Sequence, residues 1–290
     1  MPSLFDRRSF LLASAGLVAA AACNRPGSDR PDIEVESEDS GPSDVALVTA
    51  SYVHVTGLDE RLTLALVRDN GPEVLREPLD VTITDPDGKK LGTVRGELHA
   101  DGIPLPYLLV RRRFDRTGVY EAAVRYNGRT LETTFTVEDP ARVQVPVPGR
   151  PLIATPTPTV ADGRGVSPIC TRDPVCPLHD VSLDAALAER RPMAVLFSTP
   201  ALCKSQLCGP VLENLLSQHA AFGSRVRFLH VEIYTDTSGK TTAPAVQAYH
   251  LESEPFLFLA GADGVVRERL DNAFDRAEAK AALERLVAAS

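Results

Sequence analysis

The chain of 290 residues carries 31 Lys+Arg against 39 Asp+Glu, a formal net charge of −8, with 43% hydrophobic and 24% charged residues. That composition is globular and excludes fibrous and collagen-like classes, while the acidic balance sets nucleic acid aside as a partner, because phosphate binding needs a concentrated cationic surface. At roughly 100–200 residues per domain the length predicts two domains, and 23 prolines with no tryptophan predict that part of the chain is linker.

Residues 1–23 combine a charged start at Arg7-Arg8, an apolar run from Phe10 to Ala22, and Cys23. The run is short of the ~20 residues that cross a bilayer and reads as a removable signal peptide. Arg7-Arg8-Ser9-Phe10-Leu11 resembles the twin-arginine export signal, an address read by a receptor. Ala20-Ala21-Ala22-Cys23 resembles the cleavage box of bacterial lipoproteins, although that family prefers leucine where Ala20 stands. The resemblance implies an exported protein whose lipidated Cys23 holds it at the membrane surface on the extracytoplasmic face. The alternative is cleavage by an ordinary signal peptidase, with Cys23 lost or left free. Residues 24–44 hold seven acids and two arginines with almost no apolar content, so this stretch is expected to remain a disordered acidic tether.

From residue 45 to 138 the pattern becomes short alternating runs: Leu47 to Val55, Leu62 to Arg68, Leu79 to Thr84, Leu91 to Glu97, Tyr107 to Phe114, Gly118 to Tyr126 and Thr130 to Val137. These read as period-two strands, and Asn127-Gly128 between the last two is a hairpin signal. Seven or so strands with no helical stretch predict a β-sandwich. Phe114-Asp115-Arg116-Thr117-Gly118-Val119-Tyr120 resembles the corner of immunoglobulin-like domains, where a tyrosine near a strand start ties back to the preceding loop. No cysteine lies between 24 and 169, so the inter-sheet disulfide of antibody domains is absent. His54 and His99 sit singly on strand patterns and read as structural or exposed. Residues 139–169 carry seven prolines and read as a proline-rich linker in extended polyproline II form.

Residues 170–290 change order again. Ser182 to Arg190 looks helical, Met193 to Phe197 is a continuous apolar strand, and a cysteine-bearing loop leads into a helix through Leu216. A strand from Arg225 to Tyr234, a short helix from Ala243 to His250, strands from Pro255 to Leu259 and Gly264 to Leu270, and a closing amphipathic helix from Asp275 to Ala289 follow. Strands alternating with helices make a mixed α/β sheet. Three features of this order resemble the thioredoxin fold. A buried strand ending at Phe197 runs into cysteines; Gly209-Pro210-Val211-Leu212 is similar to the proline-kinked active-site helix; and Glu254-Pro255-Phe256-Leu257 matches the place of the family's cis-proline. The departure is at the site itself. The family has Cys-x-x-Cys preceded by tryptophan, whereas Cys203-Lys204-Ser205-Gln206-Leu207-Cys208 is Cys-x4-Cys preceded by Leu202.

Four cysteines, Cys170, Cys176, Cys203 and Cys208, remain beyond the export segment, and an even number in an exported domain implies disulfides. Of three connectivities, Cys170 with Cys176 as a structural disulfide and Cys203 with Cys208 each close a short loop. Five residues apart on a regular helix the side chains point ~140° apart, so Cys203 must lie in the loop for the second pair to form. Ser205 is then the expected N-cap, Cys208 falls in the first turn, the helix dipole favours a thiolate at Cys208, and Lys204 favours one at Cys203. A helix starting at Thr199-Pro200 is the competing reading and would place both cysteines on it.

The thioredoxin resemblance implies Cys203 as nucleophile, Cys208 as resolver and Pro255 as a shaper of the peptide-binding edge. The function expected from these is extracytoplasmic thiol–disulfide exchange with protein thiols or disulfides, without cofactor. The alternative is a non-catalytic thioredoxin-fold binding or assembly module with structural disulfides. A third reading is copper or zinc held by Cys170-x5-Cys176-x2-His179, or by Cys203 and Cys208 with His230. His230 lies mid-strand, where a core histidine is expected, and no metal ligand set is assigned. His219, His250 and Tyr234 carry no functional expectation. Walker A, Gly-x-Ser-x-Gly and His-Glu-x-x-His signatures are missing from the sequence.

Overall fold

A computed structural model describes residues 45–69 and 71–290. The signal peptide, Cys23 and the acidic tether of residues 24–44 lie outside the described residues.

Ten strands come first: β1 (Val45–Thr49), β2 (His54–Val55), β3 (Asp59–Arg68), β4 (Gly71–Pro72), β5 (Asp80–Thr84), β6 (Lys90–Arg95), β7 (Glu97–His99), β8 (Tyr107–Arg113), β9 (Gly118–Tyr126) and β10 (Arg129–Glu138). They form one sheet in the order β1-β3-β8-β7, with β4 on β3, and a second in the order β2-β10-β9-β5-β6. Period-two alternation assigns the faces. Leu62, Leu64 and Leu66 of β3, with Leu108 and Val110 of β8, meet Val81, Ile83, Tyr120, Ala122, Val124 and Phe135 of the other sheet in one apolar core. The corner reading holds at its decisive atom: the Tyr120 hydroxyl donates to the Arg116 carbonyl at 2.9 Å.

The run from Leu47 to Val55, expected as one strand, is two strands belonging to different sheets. Its middle leaves the ladder because the backbone N–H groups of Tyr52 and Val53 donate to Asp271 Oδ2 at 2.9 and 3.0 Å, far along the chain. The alternate residues of β3 and β8 explain a second departure. Ala65, Tyr107 and Leu109 face away from the sandwich core and into a core shared with the C-terminal half. A sheet of this kind, buried on both faces, serves as a common layer.

The C-terminal half contains α1 (Leu183–Ala188), β11 (Met193–Phe197), α2 (Cys208–Phe222), β12 (Arg227–Val231), α3 (Pro244–Ala248), β13 (Phe256–Ala260), β14 (Val266–Asp271) and α4 (Arg276–Ala288). The sheet order is β12-β11-β13-β14, with β11 parallel to β12 and antiparallel to β13. The five residues of β11 are all buried, as a strand covered on both faces requires. Ala194 and Leu196 pack toward α2 and α4, while Met193, Val195 and Phe197 pack toward α1 and α3.

Besides the Tyr52 and Val53 bonds to Asp271, two buried polar clusters fix the sandwich to this layer. Arg61 on β3 forms a bidentate pair with Glu278 on α4 at 2.6 and 2.7 Å, and the Tyr107 hydroxyl donates to the same carboxylate. Asp275, the N-cap of α4, accepts from the Glu278 N–H at 2.7 Å and pairs with His99 Nδ1 at 2.9 Å. His99 therefore completes a helix cap across the junction, and His54 is buried against Ser51 Oγ at 2.9 Å, so both are structural.

Residues 139–169, expected as a spacer, pack as part of the fold. Val145, Val147, Leu152 and Val166 are buried, and residues 149–152 run along the outer edge of β14, with Gly149 N–H to Val266 O at 2.9 Å and Leu152 N–H to Gly264 O at 2.8 Å. Proline density does extend this chain, but the apolar residues between the prolines have a surface to cover. The described residues accordingly form one compact unit.

Candidate functional site

Strand β11 delivers its chain to a turn in which the N–H of Cys203 bonds the Thr199 carbonyl at 3.1 Å. Gln206 then adopts a positive φ of 58°, and α2 begins at Cys208. This excludes the helix start at Thr199-Pro200. Cys203 is in the loop and Cys208 in the first turn, as a reacting pair needs. Ser205 is not the N-cap. Leu207 occupies that place without a side-chain bond, and the sulfur of Cys203 takes the role of acceptor instead. Pro210 lies in the first turn, where its missing N–H would have found no helical partner.

The hydrogen bonding around Cys203 favours its thiolate. Ser205 Oγ lies 3.1 Å from its sulfur, and the Cys208 thiol, with the backbone N–H groups of Cys208 and Leu207, acts to lower its pKa. Against the opposing effect of burial, these bonds hold Cys203 down to about 5. Burial, followed by the hydrogen bond and charge of Cys203, pushes Cys208 far up. Cys203 is half-buried and reachable while Cys208 is fully buried, and both are free thiols. The asymmetry is the reverse of what the helix dipole alone would give at Cys208. The sulfur that receives the hydrogen bonds becomes the anion, and the one that donates remains a thiol.

Two further groups face the thiols. Glu254, raised first by burial and then by the charge of Cys203, precedes Pro255 across a cis peptide bond. Phe197 pairs with Phe256 in register, which puts Pro255 at the same sheet end as the thiol loop. Lys204, expected to favour the Cys203 thiolate, exerts its charge on Glu254. Tyr52 arrives from the sandwich: its hydroxyl donates to the Glu254 carbonyl at 2.8 Å and its ring lies 5.5 Å from that of Phe256. Nothing in the local sequence of Tyr52 signals this, because the contact spans 202 positions.

Cys170 and Cys176, expected as a disulfide, are buried free thiols. They lie with His179 and His230, all four ligand atoms within 4.8 Å of one another. The set is the whole of the first metal grouping read from the sequence, Cys170, Cys176 and His179, joined by His230 from the second. His230 belongs with Cys170 and Cys176 because it shares a strand face with Phe228, which packs in the same core as both cysteines. Thr171 joins this cluster to the thiol loop: its hydroxyl accepts from the Ala201 N–H at 3.1 Å, and its own N–H donates to the buried Glu232 at 2.7 Å. His219 rests edge-on against Phe228, 5.3 Å between ring centroids, in a packing role.

No protein-family model matches the sequence, and no curated protein matches it. Among solved structures, similarity extends to the C-terminal domain of a provisionally named thiol-disulfide oxidoreductase from Bacteroides thetaiotaomicron. It is 10% identical over 51% of this chain and 100% of that one, with a TM-score of 0.34. Salmonella alpha-2-macroglobulin reacted with methylamine is 20% identical over 40% of this chain and 7% of that one, with a TM-score of 0.26. An engineered protein is 15% identical over 34% of this chain and 20% of its own, with a TM-score of 0.23. The chain thus spans a fifth or less of the last two. Likenesses at these scores bear on neither activity nor substrate.

Proposed function

We propose that the protein is an extracytoplasmic thiol–disulfide exchange protein in which a thioredoxin-like domain carries the Cys203/Cys208 pair and an immunoglobulin-like sandwich is docked against it. The observation that carries this reading is the geometry of the dithiol, a half-buried, reachable Cys203 in the loop and a fully buried Cys208 in the first turn of α2, where hydrogen bonding lowers the pKa of the first and burial raises that of the second. The sheet order β12-β11-β13-β14, with the thiols between β11 and α2 and Pro255 ahead of β13, supports the fold reading. Export and a membrane anchor rest on the residues of the N-terminal segment.

In the forward direction the Cys203 thiolate attacks one sulfur of a substrate disulfide, and the other substrate sulfur leaves as a thiolate. Cys208 then gives its proton to that thiolate or to water and attacks Cys203 Sγ. The second substrate sulfur departs. Two electrons have passed from the Cys203/Cys208 dithiol to the substrate, leaving a Cys203–Cys208 disulfide, and the reverse sequence oxidises a substrate dithiol. The hydrogen bonds that stabilise the thiolate stabilise the reduced form, so they bias the pair toward accepting electrons.

The test is trapping. With Cys208→Ser the resolving step is lost, and a mixed disulfide through Cys203 accumulates when the full chain meets a disulfide-bonded test protein. The Cys203→Ser/Cys208→Ser variant gives none. Failure of the single variant to trap any partner, with the fold intact by circular dichroism, would leave a non-catalytic binding module.

A further inference from the structure

We propose that Cys170, Cys176, His179 and His230 bind one zinc ion in a closed tetrahedral site that fastens the segment before α1 to strand β12. The site is distinct from the reactive thiols and stands whether or not these exchange disulfides. Three lines of geometry and chemistry lead to it.

The first is spacing. A tetrahedral ion with Zn–N near 2.05 Å and Zn–S near 2.3 Å sets its ligand atoms about 3.3 Å apart for N and N, and about 3.5 Å for S and N. Here His230 Nδ1 lies 3.2 Å from His179 Nε2, 3.4 Å from Cys176 Sγ and 3.5 Å from Cys170 Sγ, and Cys176 Sγ lies 3.3 Å from His179 Nε2. These match four of the six edges of such a tetrahedron, and the remaining two, from Cys170 to Cys176 and to His179, lie within 4.8 Å. A chance meeting of four side chains does not require all of them to converge on one centre.

The second is the tautomer of His230. Its Nε2 lies 2.8 Å from Ser198 Oγ and 3.1 Å from the Ser198 carbonyl. Donation of Nε2–H to that carbonyl leaves the Nδ1 lone pair aimed at the two sulfurs and His179. A carbonyl behind the distal ring nitrogen is the usual partner of a metal-bound imidazole.

The third is charge. All four residues are buried, and a buried dication must be neutralised. Two thiolates with two neutral imidazoles supply two negative charges, so the loaded site carries none in net, and loading releases two thiol protons to solvent. The S2N2 tetrahedral donor set selects zinc among the common ions. Four protein ligands leave no position for water or substrate, which makes the site structural. Its position gives it something to hold. Thr171, next to Cys170, bonds the thiol loop at Ala201, and the His230 N–H bonds the Leu178 carbonyl at 3.1 Å.

The experiment is elemental analysis of the full chain, purified without a histidine tag under reducing conditions, followed by cobalt substitution. One zinc per chain is expected. Cobalt should give the intense visible bands of a tetrahedral ion together with thiolate charge transfer in the near ultraviolet. Both signals should persist in Cys203→Ser/Cys208→Ser and disappear in Cys170→Ser and His230→Gln. Because the latter variants also remove core side chains, the wild-type protein provides a second readout: a chelator should lower its melting temperature, and added zinc should restore it. Protein isolated without stoichiometric zinc that takes up no tetrahedral cobalt would overturn the proposal. So would a Cys170–Cys176 disulfide mapped by mass spectrometry, or copper in place of zinc with cobalt excluded.

Discussion

At the residue scale, chemistry is assigned by which sulfur receives hydrogen bonds. Cys203 collects them from Cys208, Ser205 and two backbone N–H groups, and its thiolate persists down to about pH 5. The rate of alkylation of Cys203 by iodoacetamide should therefore be nearly flat from pH 6 to 8 and fall with a midpoint near 5. Cys208→Ala removes the largest contribution and should move that midpoint upward, and mass spectrometry of the modified peptide against pH checks both. A midpoint unchanged by Cys208→Ala would show that Ser205 and the backbone N–H groups set it without the Cys208 thiol. The sequence left two placements open, Cys203 in the loop or both cysteines on a helix starting at Thr199-Pro200, because helix rotation separates the two only if the cysteines pair; the start of α2 at Cys208 decides for the loop. The polarity of the pair was not legible. That depends on Gln206 adopting a positive φ and turning the chain so that the Cys203 sulfur, and not Ser205, meets the first N–H groups of α2. Neither propensity nor spacing specifies such a local reversal.

At the scale of elements, the join between the sandwich and the α/β layer is made by β3, β7 and β8 against the start of α4. His99 and Asp275 show how closely the two are bound. Burial alone would lower the His99 pKa, but the hydrogen bond and charge of Asp275 outweigh it and raise the value above that of a free histidine. Asp275 is correspondingly lowered, against burial, by the bond from His99. A raised folded-state pKa makes the stabilisation complete below the unfolded value of roughly 6.5, and the contribution is lost as pH rises through the folded value. His99→Gln should thus cost most below about pH 6.5, and the gap from wild type should narrow toward pH 9 in urea melts across that range. A gap independent of pH would mean that His99 contributes by packing against Tyr107, 5.1 Å between stacked rings, and not by charge. The strand pattern and the tyrosine corner could be read from alternation and turn residues, since both are local. The double burial of β3 could not, because the apolar run from Leu62 to Val67 looks the same whether its second face meets solvent-shielding loops or another layer.

For the whole molecule, the proline-rich segment was the feature least accessible to composition. Prolines exclude ladder hydrogen bonds and favour extended chain, which suits a spacer and a surface strap equally. What separates the two is whether Val145, Leu152 and Val166 find apolar partners, and they do, against the α1 and α3 face of the sheet. With that strap in place and Arg61, Tyr107, Asp275 and Glu278 buried at the junction, residues 45–290 should unfold as one cooperative unit. Intrinsic tyrosine fluorescence and far-ultraviolet circular dichroism are expected to report the same midpoint. Two separate transitions, or ready protease cleavage between residues 145 and 166, would restore the picture of independent domains on a tether.

The strap has one more consequence. An α/β sheet of four strands ordinarily presents two open rows of main-chain donors and acceptors, where a foreign strand or a second copy can attach. Here residues 149–152 occupy the row on β14, and the Leu178 carbonyl takes the His230 N–H on the opposite row at β12. This sheet is therefore covered along β14 and bonded at His230 on β12, which blunts both of its margins against edge-to-edge growth. Under the proposed exchange function, a partner would then meet Cys203 at the loops of the sheet's end, beside Tyr52 and Glu254.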